Sequence, residues 1–337
     1  MSLGPPIGNL GGTVLGVIAD PHIPTTQHAA RVRTVLDWIR MQGGASLMGL
    51  AVLGDGNVNP YAATRWHEWC REPNGGNLPS WIREFYCLGN HDADQPPDAE
   101  TTSEYPFSYA RSVYPWLFGD REYYRASHDG VSLYALNNIS DYLLASGQSA
   151  YPNCNPPGNQ FACNPDWSGI ADSESAQRQW LDAEVAADTT SWKIAMMHRA
   201  AWAPFDSDPR KLNRAARGAL TFPIEHGLSL VLQGDIHVGS FSGPWYPDEE
   251  ITAPGQGAYS LTLAGGYAVR PVDLSVLPPD SVAWSSGGAM QSGITHGALI
   301  RFQEETAIVQ VFECSDADPT GEVVFVRTIA RNVRGDS

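Results

Sequence analysis

Residues 84–92 read Glu84-Phe85-Tyr86-Cys87-Leu88-Gly89-Asn90-His91-Asp92. A short apolar run ends abruptly in a glycine followed by an amide, an imidazole and a carboxylate. The run is too short for a helix and suits a buried strand; the polar tetrad suits the loop leaving it. At average residue usage, Gly-Asn-His-Asp arises by chance in about one chain per thousand of this size, so it is treated as informative. The same design recurs on both sides. Thr13–Ala19 is an apolar run closed by Asp20-Pro21-His22, and Leu47–Leu53 is closed by Gly54-Asp55. Trp192–Met197 ends at His198-Arg199, and Leu228–Leu232 leads into Gly234-Asp235-Ile236-His237.

Between these runs lie helical stretches. Gln27 to Met41 carries Val32, Val35, Leu36 and Ile39 at helical spacing, and Ser173 to Ala187 reads as a helix with Ser173 as N-cap. Strands alternating with helices predict an α/β layered fold. Val131–Leu136, Tyr259–Ala264, Ala298–Phe302, Ala307–Phe312 and Val323–Thr328 are further strands, the last three spaced like antiparallel neighbours. Glu104–Tyr124 is crowded with aromatics and reads as a segment covering the core. Asn137–Gly169 reads as a long excursion loop, of the kind that is usually functional.

In open α/β sheets, ligands bind beyond the carboxyl ends of the strands, where loops converge. Five strand ends would there gather carboxylates, imidazoles and one amide, a donor set suited to divalent Mn, Fe or Zn. Carboxylates packed so closely repel one another unless cations lie between them. A lone Asp or His after a strand is usually a turn former; the ordered set of five carries the weight.

The 337 residues hold 42% hydrophobic and 17% charged side chains, which excludes a disordered or fibrous chain. With 21 basic against 37 acidic residues the net charge is -16. Such a surface repels nucleic acid, so no nucleic-acid partner is expected. No apolar stretch approaches the ~20 residues needed to span a bilayer. Five cysteines are too few for a disulfide scaffold. Cys154 with Cys163, and Cys70 with Cys87, are candidate pairs. A Cys154–Cys163 bridge would favour a secreted or periplasmic protein; without it the cytoplasm is expected.

In these residues the chain resembles the calcineurin-like metallophosphoesterases, and the stretch Gln179-Trp180-Leu181 through Trp192-Lys193-Ile194 to His198 is most similar to the purple acid phosphatase-type branch. The motifs fall within residues 13–266. The resemblance implies a four-layer α/β/β/α sandwich, two mixed β-sheets flanked by helices, with residues 1–337 as one domain and 271–337 supplying C-terminal strands that complete the sheets. It further implies two metal ions. Asp20, His22 and His237 would hold one, Asp55 would bridge, and Asn90 and His198 would hold the second. The family pattern Gly-His-x-His becomes Gly-Asp-Ile-His here, so Asp235 stands where a metal-binding histidine is usual. The second position would then take a harder ion, bind weakly, or move.

The reaction implied is attack on phosphorus by a hydroxide bridging the ions, with His91 protonating the leaving oxygen and Asp92 holding its ring. Arg199 either orients phosphate alongside Asn90 and His91 or is a surface arginine paired to an acid. The expected substrate is a small phosphoester, a monoester ahead of a diester, with the Tyr105–Tyr124 segment (Tyr109, Tyr114, Trp116) available to cap the site and stack an aryl group. The alternative is a metal- or phosphate-binding module impaired by Asp235. Asn57 and Asn59 are candidates for bracing the ligands, and His28, His67, His128, His226 and His296 match no motif.

Overall fold

Apolar runs of five or six residues form strands here because both faces of each sheet are covered, so every side chain in the run finds a dry neighbour. The computed structural model describes residues 12–23, 26–56, 62–71, 78–89, 92, 108–138, 170, 172–201, 218–246, 249–250, 255–265, 282–285 and 293–334. The chain begins β1 (Val14–Ile18), α1 (Thr26–Gly43), β2 (Leu47–Val52), α2 (Ala62–Arg71) and β3 (Glu84–Tyr86). Two short helices, α3 (Ser108–Val113) and α4 (Pro115–Phe118), precede the hairpin β4 (Tyr124–His128) and β5 (Val131–Ala135). Next come α5 (Ala176–Ala187), β6 (Trp192–Met196), α6 (Thr221–Glu225) and β7 (Leu228–Gln233). Then follow β8 (Ser240–Tyr246), β9 (Glu249–Glu250), β10 (Ala258–Thr262) and β11 (Val282–Ser285). The last strands are β12 (Ile294–Phe302), β13 (Thr306–Ser315) and β14 (Glu322–Ala330).

Two mixed sheets result. The first has the order β14-β13-β12-β1-β2-β3, with β1, β2 and β3 parallel and the C-terminal meander antiparallel. The second runs β11-β8-β10-β7-β6-β5-β4, with β9 on β8; its β5, β6, β7 and β10 are parallel. All three C-terminal strands join the first sheet.

Alternation along the strands assigns the layers. Gly16 of β1 and Gly297 of β12 lie against Ile39 and Val35, so their lack of a side chain lets α1 settle on the first sheet. In β6, Ile194 and Met196 enter the large core shared with the first sheet, while Ala195 and the following Met197 pack with Leu181, Val185 and Ile224 of α5 and α6. The layers are therefore α1, first sheet, second sheet, and α5 with α6: the expected four-layer α/β/β/α sandwich.

Several expectations are corrected. The N-cap of α5 is Ser175, not Ser173: its hydroxyl accepts from the Arg178 amide at 3.1 Å, while Ser173 lies in the preceding turn. Cys70 and Cys87 are not joined to each other, and both keep their thiols. The Cys70 thiol meets Glu84 Oε1 at 3.1 Å, and Cys87 lies three residues beyond Glu84, about 10 Å along an extended chain. Tyr114 is fully buried, stacked on Tyr86 with centroids 5.2 Å apart, so it belongs to the core and cannot stack a substrate. Trp116 is exposed. Strands β4 and β8 were not expected: aromatics disguise the first, and Gly243-Pro244 interrupts the second. Cys154, Cys163 and the excursion loop beyond Asn138 lie outside the described residues.

Candidate metal centre

Among the described residues, each candidate ligand sits just past the carboxyl end of a parallel strand, where the chain must turn sharply out of the sheet. Among the described residues, six non-glycine residues have positive φ. Five of them are Asp20 (43°), His22 (39°), Asp55 (50°), Asp235 (65°) and His237 (55°). The sixth, Asp129, makes the β4–β5 turn. A left-handed backbone at a side chain larger than glycine costs about 1–3 kcal/mol and persists where surrounding structure enforces it, typically at functional sites.

The side chains converge. His22 Nε2 lies 3.9 Å from Asp20 Oδ1, 3.8 Å from Asp55 Oδ2 and 3.3 Å from His237 Nε2. His237 Nε2 is 3.9 Å from Asp20 Oδ1. On the other side, His198 Nε2 is 3.3 Å from Asp55 Oδ2 and 3.5 Å from Asp235 Oδ1. Asp55 Oδ2 thus reaches towards both His22 and His198. Two donors each about 2.1 Å from a shared ion stand roughly 3.0–3.5 Å apart in tetrahedral or octahedral arrangements, so these separations fit a cation with slight contraction. His198 also approaches Asp20, but through Nδ1, and Nδ1 is occupied: it donates to the Leu53 carbonyl at 2.8 Å. That bond fixes the tautomer and turns Nε2 towards Asp55 and Asp235, where it could serve as a ligand atom.

Electrostatics point the same way. Burial pushes the Asp20 carboxyl well above its usual range, and the charges of Asp55 and Asp235 push it further. Burial would lower the His198 imidazole, but Asp55 and Asp20 carry it well above its ordinary value. Burial would raise Asp235, yet the Arg199 guanidinium and His198 together hold it well below the carboxylate range. Two buried carboxylates, Asp20 and Asp55, and the partly exposed Asp235 face three imidazoles, with no thiolate; the set could hold divalent cations, and cations would relieve the carboxylate repulsion.

The surroundings are built for close approach. Gly89 abuts the Asp55 carboxylate, and Gly234 and Gly265 abut Asp20; a Cβ at any of them would overlap these ligands. Asp92 is buried beneath, accepting from the amides of Gly89 (2.7 Å) and Asp55 (3.3 Å) and from the Tyr86 hydroxyl (3.0 Å). Burial and the Asp55 charge raise its carboxyl to about 7. Arg199 is no surface residue: its side chain is 11% exposed, and Nη1 lies 3.4 Å from Asp235 Oδ2.

Asn90, His91, Asn57 and Asn59 lie outside the described residues. Sequence reasoning missed Tyr86, and it missed Asn138, whose amide brackets the Arg199 backbone. Asn138 follows the carboxyl end of β5, but it opens a polar stretch that reads as loop in the sequence. A separate group, His67, Cys70 and Glu84, brings its ligand atoms within 4.8 Å of one another. There the buried Glu84 carboxylate already accepts from Trp66, His67, Cys70 and Tyr114, so the group is satisfied as a hydrogen-bonded brace.

The family model described as calcineurin-like phosphoesterase matches residues 13–239, a span containing every residue of this centre. No curated protein matches the chain. Among solved structures, a purple acid phosphatase, PPD1 from yellow lupin (Lupinus luteus) seeds, is similar with a TM-score of 0.59 at 11% identity. The match covers 96% of this chain and 55% of the lupin chain, so this chain spans about half that enzyme's length. GAP50, described as the anchor in the inner membrane complex of Plasmodium, is similar with a TM-score of 0.56 at 10% identity, covering 95% of this chain and 89% of that one. At such identities the likeness concerns the fold alone.

Proposed function

The chain belongs to the calcineurin-like phosphoesterase family, and from that premise we propose that it hydrolyses a small phosphoester, a monoester ahead of a diester, at a dinuclear metal centre. The observation carrying this reading is the convergence of Asp20, His22, Asp55, His198, Asp235 and His237 from two sheets onto one crevice. Fold alone does not decide activity, since a phosphatase and an anchor protein both share it.

Asp20, His22 and His237 would hold one ion, Asn90, His198 and Asp235 the other, with Asp55 spanning the two. When bound, divalent cations supply Lewis-acid activation of water near neutral pH and neutralise charge on phosphoryl oxygens. The chain's own residues do the rest. His91 donates a proton to the leaving oxygen and Asp92 holds its ring, while the Asp92 carboxylate also accepts from the Gly89 and Asp55 amides. Asn90 and Arg199 orient the phosphoryl group, the guanidinium offering paired donors to its oxygens. Replacing His91 with Asn should lower kcat by about 10²–10⁴-fold, the range of lost proton transfer. A net charge of -16 opposes long polyanions, which favours a small substrate over nucleic acid.

The alternative, a module silenced by Asp235, is disfavoured by the placement of Asp235 Oδ1 beside His198 Nε2, where an oxygen donor serves a hard cation well. Mn, Fe and Zn all suit the donor set. The test is hydrolysis of aryl phosphate mono- and diesters by metal-free protein given back Mn, Zn, Fe or Mg. Metal-restored turnover supports the enzyme; absence of turnover with every metal removes it.

A further inference from the structure

Arg199 follows the metal-facing His198, and its backbone is gripped from the neighbouring strand. The Asn138 side chain accepts from the Arg199 amide at 3.2 Å and donates to the Arg199 carbonyl at 2.8 Å. Asn137 is gripped likewise by Gln177 of α5, which accepts from its amide at 2.7 Å and donates to its carbonyl at 2.8 Å. All three amide side chains belong to residues no more than 4% exposed. Two nested clamps therefore fix the main chain whose side chain is the guanidinium at the centre's edge. The far end of that side chain is tethered as well. Asp235 faces His198 Nε2 with Oδ1 and Arg199 Nη1 with Oδ2, so one carboxylate links the second metal position to the guanidinium.

We propose that Arg199 is a specificity-determining residue, positioned by Asn138 and Asp235, that makes this centre prefer dianionic phosphomonoesters to monoanionic phosphodiesters. This rests on the phosphoesterase reading above. Three converging carboxylates repel an incoming anion, and a dianion more strongly than a monoanion; Arg199 offsets the carboxylate nearest the rim. A monoester carries three non-bridging oxygens and a diester two. Only the monoester keeps a charged oxygen for the guanidinium once the centre has engaged the other two. Against a diester, the planar donors of Arg199 would meet an esterified oxygen, and a site built to hydrogen-bond a group rejects the analogue lacking it. Asn138 touches no substrate. It is a positioning residue, and its removal frees the Arg199 backbone while leaving the ligands intact.

The test uses full-length, Mn-loaded protein at pH 8, with inorganic phosphate as the dianionic probe and dimethyl phosphate as the monoanionic one. Binding is measured by calorimetry for wild type, Arg199→Met, Arg199→Lys and Asn138→Ala, beside metal content and turnover of aryl phosphate mono- and diesters. Arg199→Met should weaken phosphate binding by about tenfold to a hundredfold, the worth of a hydrogen bond between charged groups, while dimethyl phosphate binding changes by less than about threefold. Arg199→Lys should recover part of the phosphate affinity by restoring the charge. Asn138→Ala should raise KM for the monoester by about tenfold, with Mn content unchanged and little effect on the diester. Equal weakening of both probes, or a monoester-to-diester preference unaltered in Arg199→Met and Asn138→Ala, overturns the inference while leaving the phosphoesterase reading intact. A wild type without metal-dependent turnover on either ester overturns both.

Discussion

The main-chain amide of Asp235 donates to both carboxylate oxygens of Asp20, at 3.1 and 2.9 Å. Asp20 leaves β1 of the first sheet and Asp235 leaves β7 of the second, so this bifurcated bond stitches the two sheets together at the centre. The bond from His198 Nδ1 to the Leu53 carbonyl is a second such stitch, again from the second sheet to the first. The candidate ligands are thus also the joints of the sandwich, and the fold itself sets their geometry. Preorganisation of this kind lets a charged site act without rearranging.

Asp20→Asn should separate stability from metal binding. Burial disfavours the Asp20 charge, and Asn removes that charge while keeping an oxygen for the Asp235 amide. The metal-free variant should be about 1–2 kcal/mol more stable than metal-free wild type. It should also retain less metal. Urea unfolding alongside metal analysis checks both; a variant less stable than metal-free wild type would mean that Asp20 is favourably ionised without a cation.

Asp92 should give the metal-free protein a pH-dependent stability. Its carboxyl is raised from 3.8 to about 7 in the fold, so the folded state favours the protonated form. That contribution is complete below about pH 4 and is lost as pH rises through about 7, with an upper limit of roughly 4 kcal/mol. Asp92→Asn mimics the protonated carboxyl. The stability of the variant relative to wild type should therefore increase from pH 4 to pH 7 and level off above. Parallel stability curves would contradict the assignment.

Tyr86→Phe should weaken the brace without dismantling the centre. The phenol donates to Asp92 Oδ1 at 3.0 Å and accepts from the Gly56 amide at 3.0 Å. Losing both bonds in a buried site should cost about 1–3 kcal/mol, read by urea unfolding, with metal content preserved. Loss of metal at full stability would mean that Tyr86 contacts the ions.

Gly234→Ala tests the close packing beneath Asp20. The added methyl would overlap the Asp20 carboxylate, forcing β7 away from β1. Overpacking of this kind costs about 1–3 kcal/mol, and the displaced carboxylate should bind metal more weakly. Unchanged melting temperature and metal affinity would show that the loop yields freely.

The strands and most of the centre were legible because burial and chemistry write opposite letters next to each other. Val14–Ile18 is uniformly apolar since both faces are covered, and Asp20 stands out because a carboxylate directly after such a run has no packing role. His198 and Asp235 were legible for the same reason. Tyr86 was not, because a tyrosine in an apolar strand looks like core, and most of its ring is core. Asn138 was hidden differently. It begins an Asn-, Ser- and Pro-rich stretch that reads as loop, and nothing local distinguishes an amide that clamps a distant backbone from one that faces water. Ser175 escaped because Ser173 offers the same capping chemistry two residues earlier. The Asp235–Arg199 contact joins residues 36 positions apart, and strand order in the second sheet creates it.

We propose that one crevice holds two ions through ligands that share Asp55. The most direct measurement is the manganese content of reconstituted wild type and Asp55→Ala, each confirmed folded by circular dichroism. Two ions per wild-type chain, and loss of both together in the variant, are expected. A folded Asp55→Ala protein that keeps one ion tightly, or a wild type that never takes up more than one, would contradict it.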